Sequence, residues 1–364
     1  MSIMFHDADR TSAIHTLAEL TAFLKTDFTR PEMLTDQDYD CLSDIDRDVY
    51  DRARMLYASG GIVLATPHVQ EASRLLTQAF AVNVGRNSGH VGLLLDGDST
   101  VGKTETTKTL MRTVYSQYKR FFPDFENHNR IPIVYISVPA SSTGKLLIST
   151  FAEFFGLPVI SRESMGDMRV RVVKALIAAG TQLIVVDELQ NLVGRSVGLG
   201  ESVDILKNLH NEVPATFVYA GFQLADSTLL AGPKGQQLRG RFTILTMDRL
   251  NLSDPADRKT WAGLIAGFEK KLPLRHQELG TLKEHRDYLY MRTSGSIGSL
   301  AKLLTASAAE LINNPAHTVE RLTEAVMDTV TLDIYAEENY AILKNGQTKG
   351  TKSAMHSMAE LISA

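Results

Sequence analysis

Residues Leu93–Thr104, "LLLDGDSTVGKT", carry the reading of the whole chain. An apolar run ends in Gly97-Asp98-Ser99-Thr100-Val101-Gly102-Lys103-Thr104, which satisfies G-x-x-x-x-G-K-[ST], and Glu105 then opens a helical pattern. The two glycines let the backbone curl so that successive N–H groups point at phosphate oxygens. The start of the helix adds partial positive charge. Lys103 supplies a mobile charge for the β- and γ-phosphates, and the Thr104 hydroxyl is a ligand for Mg²⁺. The stretch therefore predicts a site for ATP and Mg²⁺ built from residues 97–105.

A second run, Leu183-Ile-Val-Val-Asp187-Glu188, delivers carboxylates to the tip of an apolar strand. Beside phosphates, Asp187 can hold Mg²⁺ and Glu188 can polarise an attacking water, which argues for hydrolysis over passive nucleotide storage. "QQLRGRFTIL" places Arg239 and Arg241 just before another strand-like run. An arginine there can reach the nucleotide of a neighbouring subunit and stabilise transition-state charge. Of the two, Arg241 is the expected finger, because it lies nearer the strand that would fix its position.

Outward from these motifs, continuous apolar runs ("VGLLLDG", "IPIVYISV", "TQLIVVDE", "ATFVYAG", "FTILTMD") alternate with helical segments. Strands buried on both faces and joined by helices predict a three-layer α/β core with a parallel sheet over 86–250. Residues 1–85 read as a helical N-terminal segment, in which Asp36 and Asp38 precede "DIDRDVYDRARMLYASG" as a cap would and Gly60–Gly61 follow it as a stop. No strand pattern remains after about 253, so 251–340 is expected to be a helical domain that includes "TVERLTEAVMDTV". Residues 341–364 read as a flexible tail.

The chain has 364 residues, is 44% hydrophobic and 22% charged, and has no apolar run long enough to span a bilayer. With no basic-then-apolar leader, the expectation is a cytoplasmic protein without a membrane role. Cys41 is the only cysteine, which excludes an intrachain disulfide and a cysteine zinc site; it reads as a small semi-buried residue. The net charge of −4 is not that of a typical nucleic-acid binder, although a local basic stripe repeated in an oligomer suffices for non-specific binding. The ten His are scattered, Trp261 fits a buried helix face, and Phe121–Phe122 and Phe154–Phe155 read as packing residues.

Together, the phosphate loop, the "VVDE" strand, the paired arginines and the helical C-terminal part resemble the AAA+ superfamily. "LIVVDELQNL", "LKNLHNEVPATFVYAG", "IAGFEKKLPLRH" and "RTSGSIGSLAKLL" resemble, more narrowly, the TniB/TnsC-type ATP-binding proteins of transposons, over about residues 50–335. The resemblance implies an AAA+ P-loop NTPase core with a helical lid. It also implies an ATP-dependent regulator that assembles as a homo-oligomeric ring or filament on double-stranded DNA, without sequence preference; the departures from the family given below lead to the expectation of an ATPase that is slow without a partner. Its partners would be a DDE transposase and a target-selection protein. If DNA threads a ring, Lys145 would face it, with Arg169, Arg171 and Arg195 behind.

Two family features look altered. At the polar sensor after the fourth strand, only Tyr219 or Gln223 could serve. In the lid, Ser299, with Lys302 one turn on, stands where an arginine commonly approaches the γ-phosphate. A nucleotide-gated signalling or defence switch and a replication helicase loader are the competing functions.

Overall fold

The five apolar runs become five strands, and the helical patterns, with one exception in the C-terminal part, become helices. The computed structural model describes residues 13–192, 196–224, 227, 230, 232–314 and 316–348. In chain order the elements are α1 (Leu17–Lys25), α2 (Asp36–Asp40), α3 (Asp44–Gly60), α4 (Pro67–Asn83), β1 (Gly92–Gly97), α5 (Lys103–Phe121), β2 (Ile133–Ser137), α6 (Gly144–Phe154), α7 (Met165–Ala178) and β3 (Leu183–Asp187). They continue with α8 (Ser196–Glu212), β4 (Thr216–Gly221), α9 (Gly232–Arg239), β5 (Phe242–Met247), α10 (Pro255–Lys271), α11 (Arg286–Thr293), α12 (Ile297–Asn313), α13 (Glu324–Met327) and α14 (Ile334–Thr348). These residues form two compact units, 13–26 with 67–248 and 27–66 with 249–348, so the N-terminal residues are divided between both.

The first unit is an α/β domain. Its sheet is wholly parallel, in the order β2-β3-β4-β1-β5. Strands β1, β3 and β4 are buried at every position, as strands covered on both faces must be. The edge strands differ from each other: β2 is buried except for half-buried Ser137, whereas β5 leaves Thr243–Thr246 exposed or half-buried. β1 stands between β4 and β5, while β4 separates it from β3. Strand order thus reverses beside β1, and in open α/β sheets the crevice at the carboxyl ends of such strands receives ligands. The core below is apolar: Leu93, Leu94, Leu95, Val186 and Phe217 are fully buried, each contributing about 1.5–3 kcal/mol of hydrophobic stabilisation. Phe154 is core, whereas Phe121 and Phe122 remain exposed beside Tyr118.

The second unit is helical. α3 begins at Ser43, whose hydroxyl accepts from the Asp46 N–H. This corrects the expected cap: Asp36 and Asp38 instead lie in the first turn of α2, itself capped by Thr35. A hydroxyl directly before the first turn reaches an orphan N–H that more distant carboxylates cannot. A second correction concerns "TVERLTEAVMDTV", of which only Glu324–Met327 is helical. Upstream, the Glu320 carboxylate accepts from Arg54 and Arg275, and the Leu322 N–H donates to Gln277, so the helix starts only at its Thr323 cap. Arg54 is fully buried, with the Glu320 carboxylate 2.6 Å from its Nη1. Trp261 is also fully buried on α10, where its indole N–H donates to the Arg286 carbonyl. Cys41 is exposed rather than semi-buried. α14 takes up residues 341–348 of the expected tail, and 349–364 lie outside the described residues. No described helix is long and apolar enough to cross a membrane.

Candidate nucleotide-binding site

The phosphate-type loop joins β1 to α5, and its backbone explains its glycines. At Gly97 a Cβ would sit 2.1 Å from the Met247 carbonyl oxygen of β5, so no side chain fits. Gly102 has a φ of 98° and serves as the N-cap of α5. It brings no side chain to the cap, and no side-chain capping bond forms there among the described residues, the condition under which a helix start binds an anion. Between them Thr100 is also left-handed, at φ 66°. Lys103 folds back on this loop: its ammonium donates to the carbonyls of Gly97 (2.8 Å) and Asp98 (2.6 Å). Burial pulls its pKa below the ordinary lysine value, against the opposing charges of Asp187, Glu188, Asp96 and Asp98. Two neutral carbonyls are weaker acceptors for this ammonium than phosphate oxygens are.

β3 brings the carboxylates to the same place. Asp187 is 2% exposed and accepts three hydrogen bonds: from the Thr104 hydroxyl (3.2 Å), the Tyr135 hydroxyl (3.0 Å) and the Glu188 N–H (2.9 Å). The predicted pair Thr104 and Asp187 is therefore in direct contact. Two hard oxygen donors side by side suit Mg²⁺. Tyr135 was missed by sequence reasoning. Burial and then the charge of Asp187 push its phenol pKa well up, so it stays protonated as a donor. The available signal was a hydroxyl inside the apolar run "IPIVYISV", since a buried polar atom needs a partner.

Glu188 is half-buried with a left-handed backbone at φ 58°. Its carboxylate accepts from the Gln190 side-chain amide. Arg239, the last residue of α9, is exposed. Arg241, the expected finger, is half-buried and donates to the Asn211 side chain of its own unit at 2.5 Å. Tyr219 is fully buried, stacked on Phe242 with centroids 4.5 Å apart, at the level of Leu94 in mid-strand. It therefore belongs to the core and is not a sensor at the strand tip. Gln223 is exposed beyond β4, at φ 48°. In the helical unit Ser299 is buried and donates to Asp333 at 2.6 Å, while Lys302 is exposed.

The expected DNA contacts are unequal. Lys145 is exposed near the start of α6, donating to the Ser161 carbonyl. Arg169 is paired with Glu212, and Arg171 makes a two-pronged pair with Glu163. Arg195 lies outside the described residues.

The family model for the bacterial TniB protein matches residues 63–252, over half of the chain, including the loop, the acidic strand and both arginines. The chain belongs to the TniB family. No curated protein sequence matches this TniB chain. Among solved structures, it is similar to the ORC1 protein of Aeropyrum pernix in complex with DNA, at 18% identity and TM-score 0.52, over 74% of this chain and 65% of that one. It is also similar to the ADP form of the Aeropyrum pernix ORC2 protein, at 15% identity and TM-score 0.51, over 71% and 66%. The TniB chain thus spans just under two thirds of the length of these proteins. Such likeness speaks to the fold alone, an α/β P-loop NTPase fold with added helical segments.

Proposed function

We propose that this chain is an ATP-hydrolysing regulator of DNA transposition. It assembles as a homo-oligomeric ring or filament on double-stranded DNA and recruits a DDE transposase and a target-selection protein. The observation that carries the chemistry is the meeting of Thr104 with Asp187 beside Lys103 and an uncapped helix start. Family membership supports transposition over helicase loading or a signalling switch.

In this reading the loop backbone from Gly97 to Gly102 cradles the phosphates, and Lys103 exchanges its two carbonyl partners for phosphate oxygens. Thr104 and Asp187 hold Mg²⁺, which supplies charge neutralisation and polarisation of the phosphate oxygens. Glu188 orients the attacking water and accepts its proton. Arg239, exposed at the end of α9, reaches a neighbouring subunit's nucleotide more readily than Arg241, which is held by Asn211. Lys145 contributes phosphate contacts to DNA. Arg169 and Arg171 first have to leave Glu212 and Glu163.

The test is binding of the pure protein to duplex DNA of unrelated sequences at low salt, with a non-hydrolysable ATP analogue. Nucleotide-dependent, salt-sensitive binding with assemblies visible by electron microscopy is expected. No binding with the nucleotide seated would overturn the transposition reading and leave the ATPase.

A further inference from the structure

The phrase "DELQNL" contains a residue with no part in the chemistry so far. Gln190 sits in the 3₁₀ turn Leu189–Leu192 that follows β3. Its side-chain oxygen accepts the Phe222 N–H (2.9 Å), just beyond the end of β4. A backbone N–H can only donate, so the amide oxygen must face Phe222 and the amide NH₂ must face the other way. There it donates to the Glu188 carboxylate. The orientation of the amide is thereby fixed by its surroundings, and Glu188 is its only purpose on the donor side among the described contacts.

The surroundings are built for this bridge. A Cβ at Gly221 would stand 2.5 Å from the Gln190 side-chain oxygen, so the glycine leaves its room. The turn is pinned from the segment after β2 as well, by the Asn191 side chain donating to the Val138 carbonyl (2.9 Å) and the Ser142 N–H donating to the Asn191 carbonyl (3.0 Å). Glu188 itself holds a left-handed backbone, a conformation costly for a side-chain-bearing residue and kept only where neighbours impose it. On the far side, the Leu224 N–H donates to Asp96 (2.7 Å), the residue before Gly97. A continuous set of contacts thus crosses the tips of β3, β4 and β1, from Glu188 through Gln190 and Phe222–Leu224 to the root of the phosphate loop.

We propose that Gln190 is a positioning residue for the Glu188 carboxylate, tying it to the backbone that leaves β4. This rests on the reading of Glu188 as the hydrolytic carboxylate. It makes hydrolysis responsive to the segment after β4, because any shift of Phe222 moves the amide that aims the carboxylate.

The test is ATP turnover of the full chain at saturating duplex DNA, comparing Gln190→Ala, Gln190→Glu, Glu188→Gln and the double variant Gln190→Ala/Glu188→Gln. Loss of a hydrogen bond to a charged group predicts that Gln190→Ala lowers kcat by about tenfold or more, with KM for ATP within about twofold. Gln190→Glu keeps the acceptor for Phe222 but sets a second carboxylate against Glu188, so its kcat should fall at least as far. If Gln190 merely braced the β4 exit, the glutamate would be the milder change, and that order overturns the proposal. In the Glu188→Gln background, Gln190→Ala should add no further loss, and an additive loss also overturns it. Parental kcat in Gln190→Ala beside an inactive Glu188→Gln sinks the inference and spares the role of Glu188. Parental turnover in Glu188→Gln sinks both.

Discussion

Asp187 is the residue on which both halves of the site depend, and its replacement has a computable signature. Asp187→Ala removes the acceptor of three hydrogen bonds at a position 2% exposed. Thr104 is only part-buried at this contact, and water can replace its lost partner. The Tyr135 hydroxyl cannot be rescued so easily, because its residue is 5% exposed in an apolar strand. Leaving that donor unpaired costs about 1–3 kcal/mol, and with the weaker losses the variant should be about 3 kcal/mol less stable. Tyr135→Phe alone leaves the carboxylate two donors and should cost about 1 kcal/mol. In the double variant the orphaned hydroxyl is gone, so the two losses should fall short of their sum by about 1–2 kcal/mol. The assay is native-state hydrogen exchange of β2 and β3 amides under increasing urea, which reports this unit separately from the helical one. Additivity within about 0.5 kcal/mol would refute the claim that Tyr135 is there to hold Asp187. A second arm separates roles: Tyr135→Phe should keep Mg·ATP binding within a few-fold, whereas Asp187→Ala should weaken its Mg²⁺ dependence.

Other perturbations give equally definite outcomes. For the parent protein, Mg·ATP at a hundredfold over its Kd should add about 2.7 kcal/mol of stability, seen as a rise in the melting temperature of this unit; Lys103→Ala should show no such rise, and an undiminished one refutes the phosphate role. Arg239→Ala should lower turnover only at protein concentrations that allow assembly, with melting unchanged, and an equal loss in dilute monomer would exclude a role across subunits. For Arg241→Ala, loss of the Asn211 contact should instead cost about 1 kcal/mol of stability. Burial pulls the His210 pKa down from 6.5 to about 4, so the neutral ring is the folded form while the unfolded chain protonates near 6.5. Stability from this group is therefore whole above about pH 6.5 and falls by on the order of 2 kcal/mol from pH 7 to pH 5. His210→Phe should flatten that slope in urea unfolding, and an unchanged slope would refute the assignment.

What the sequence by itself determined is the local chemistry. Five continuous apolar runs, the glycine-bounded loop and the Asp187-Glu188 pair each declare themselves within a few residues, because strand burial, a phosphate cradle and an acidic strand tip need particular residue types at particular spacings. The tertiary structure decided which distant groups meet. β4, not β3, lies beside β1, yet Thr104 still reaches Asp187. Tyr135 became a support for that carboxylate, Gln190 a bridge to the chain beyond β4, and Tyr219 a core residue. The same holds for Glu320, whose pairing with Arg54, 266 positions away, kept "TVERL" out of a helix that its periodicity favours. Periodicity and caps act over one or two turns, whereas sheet order and buried polar pairing are settled by which surfaces bury together, and no local pattern encodes that choice.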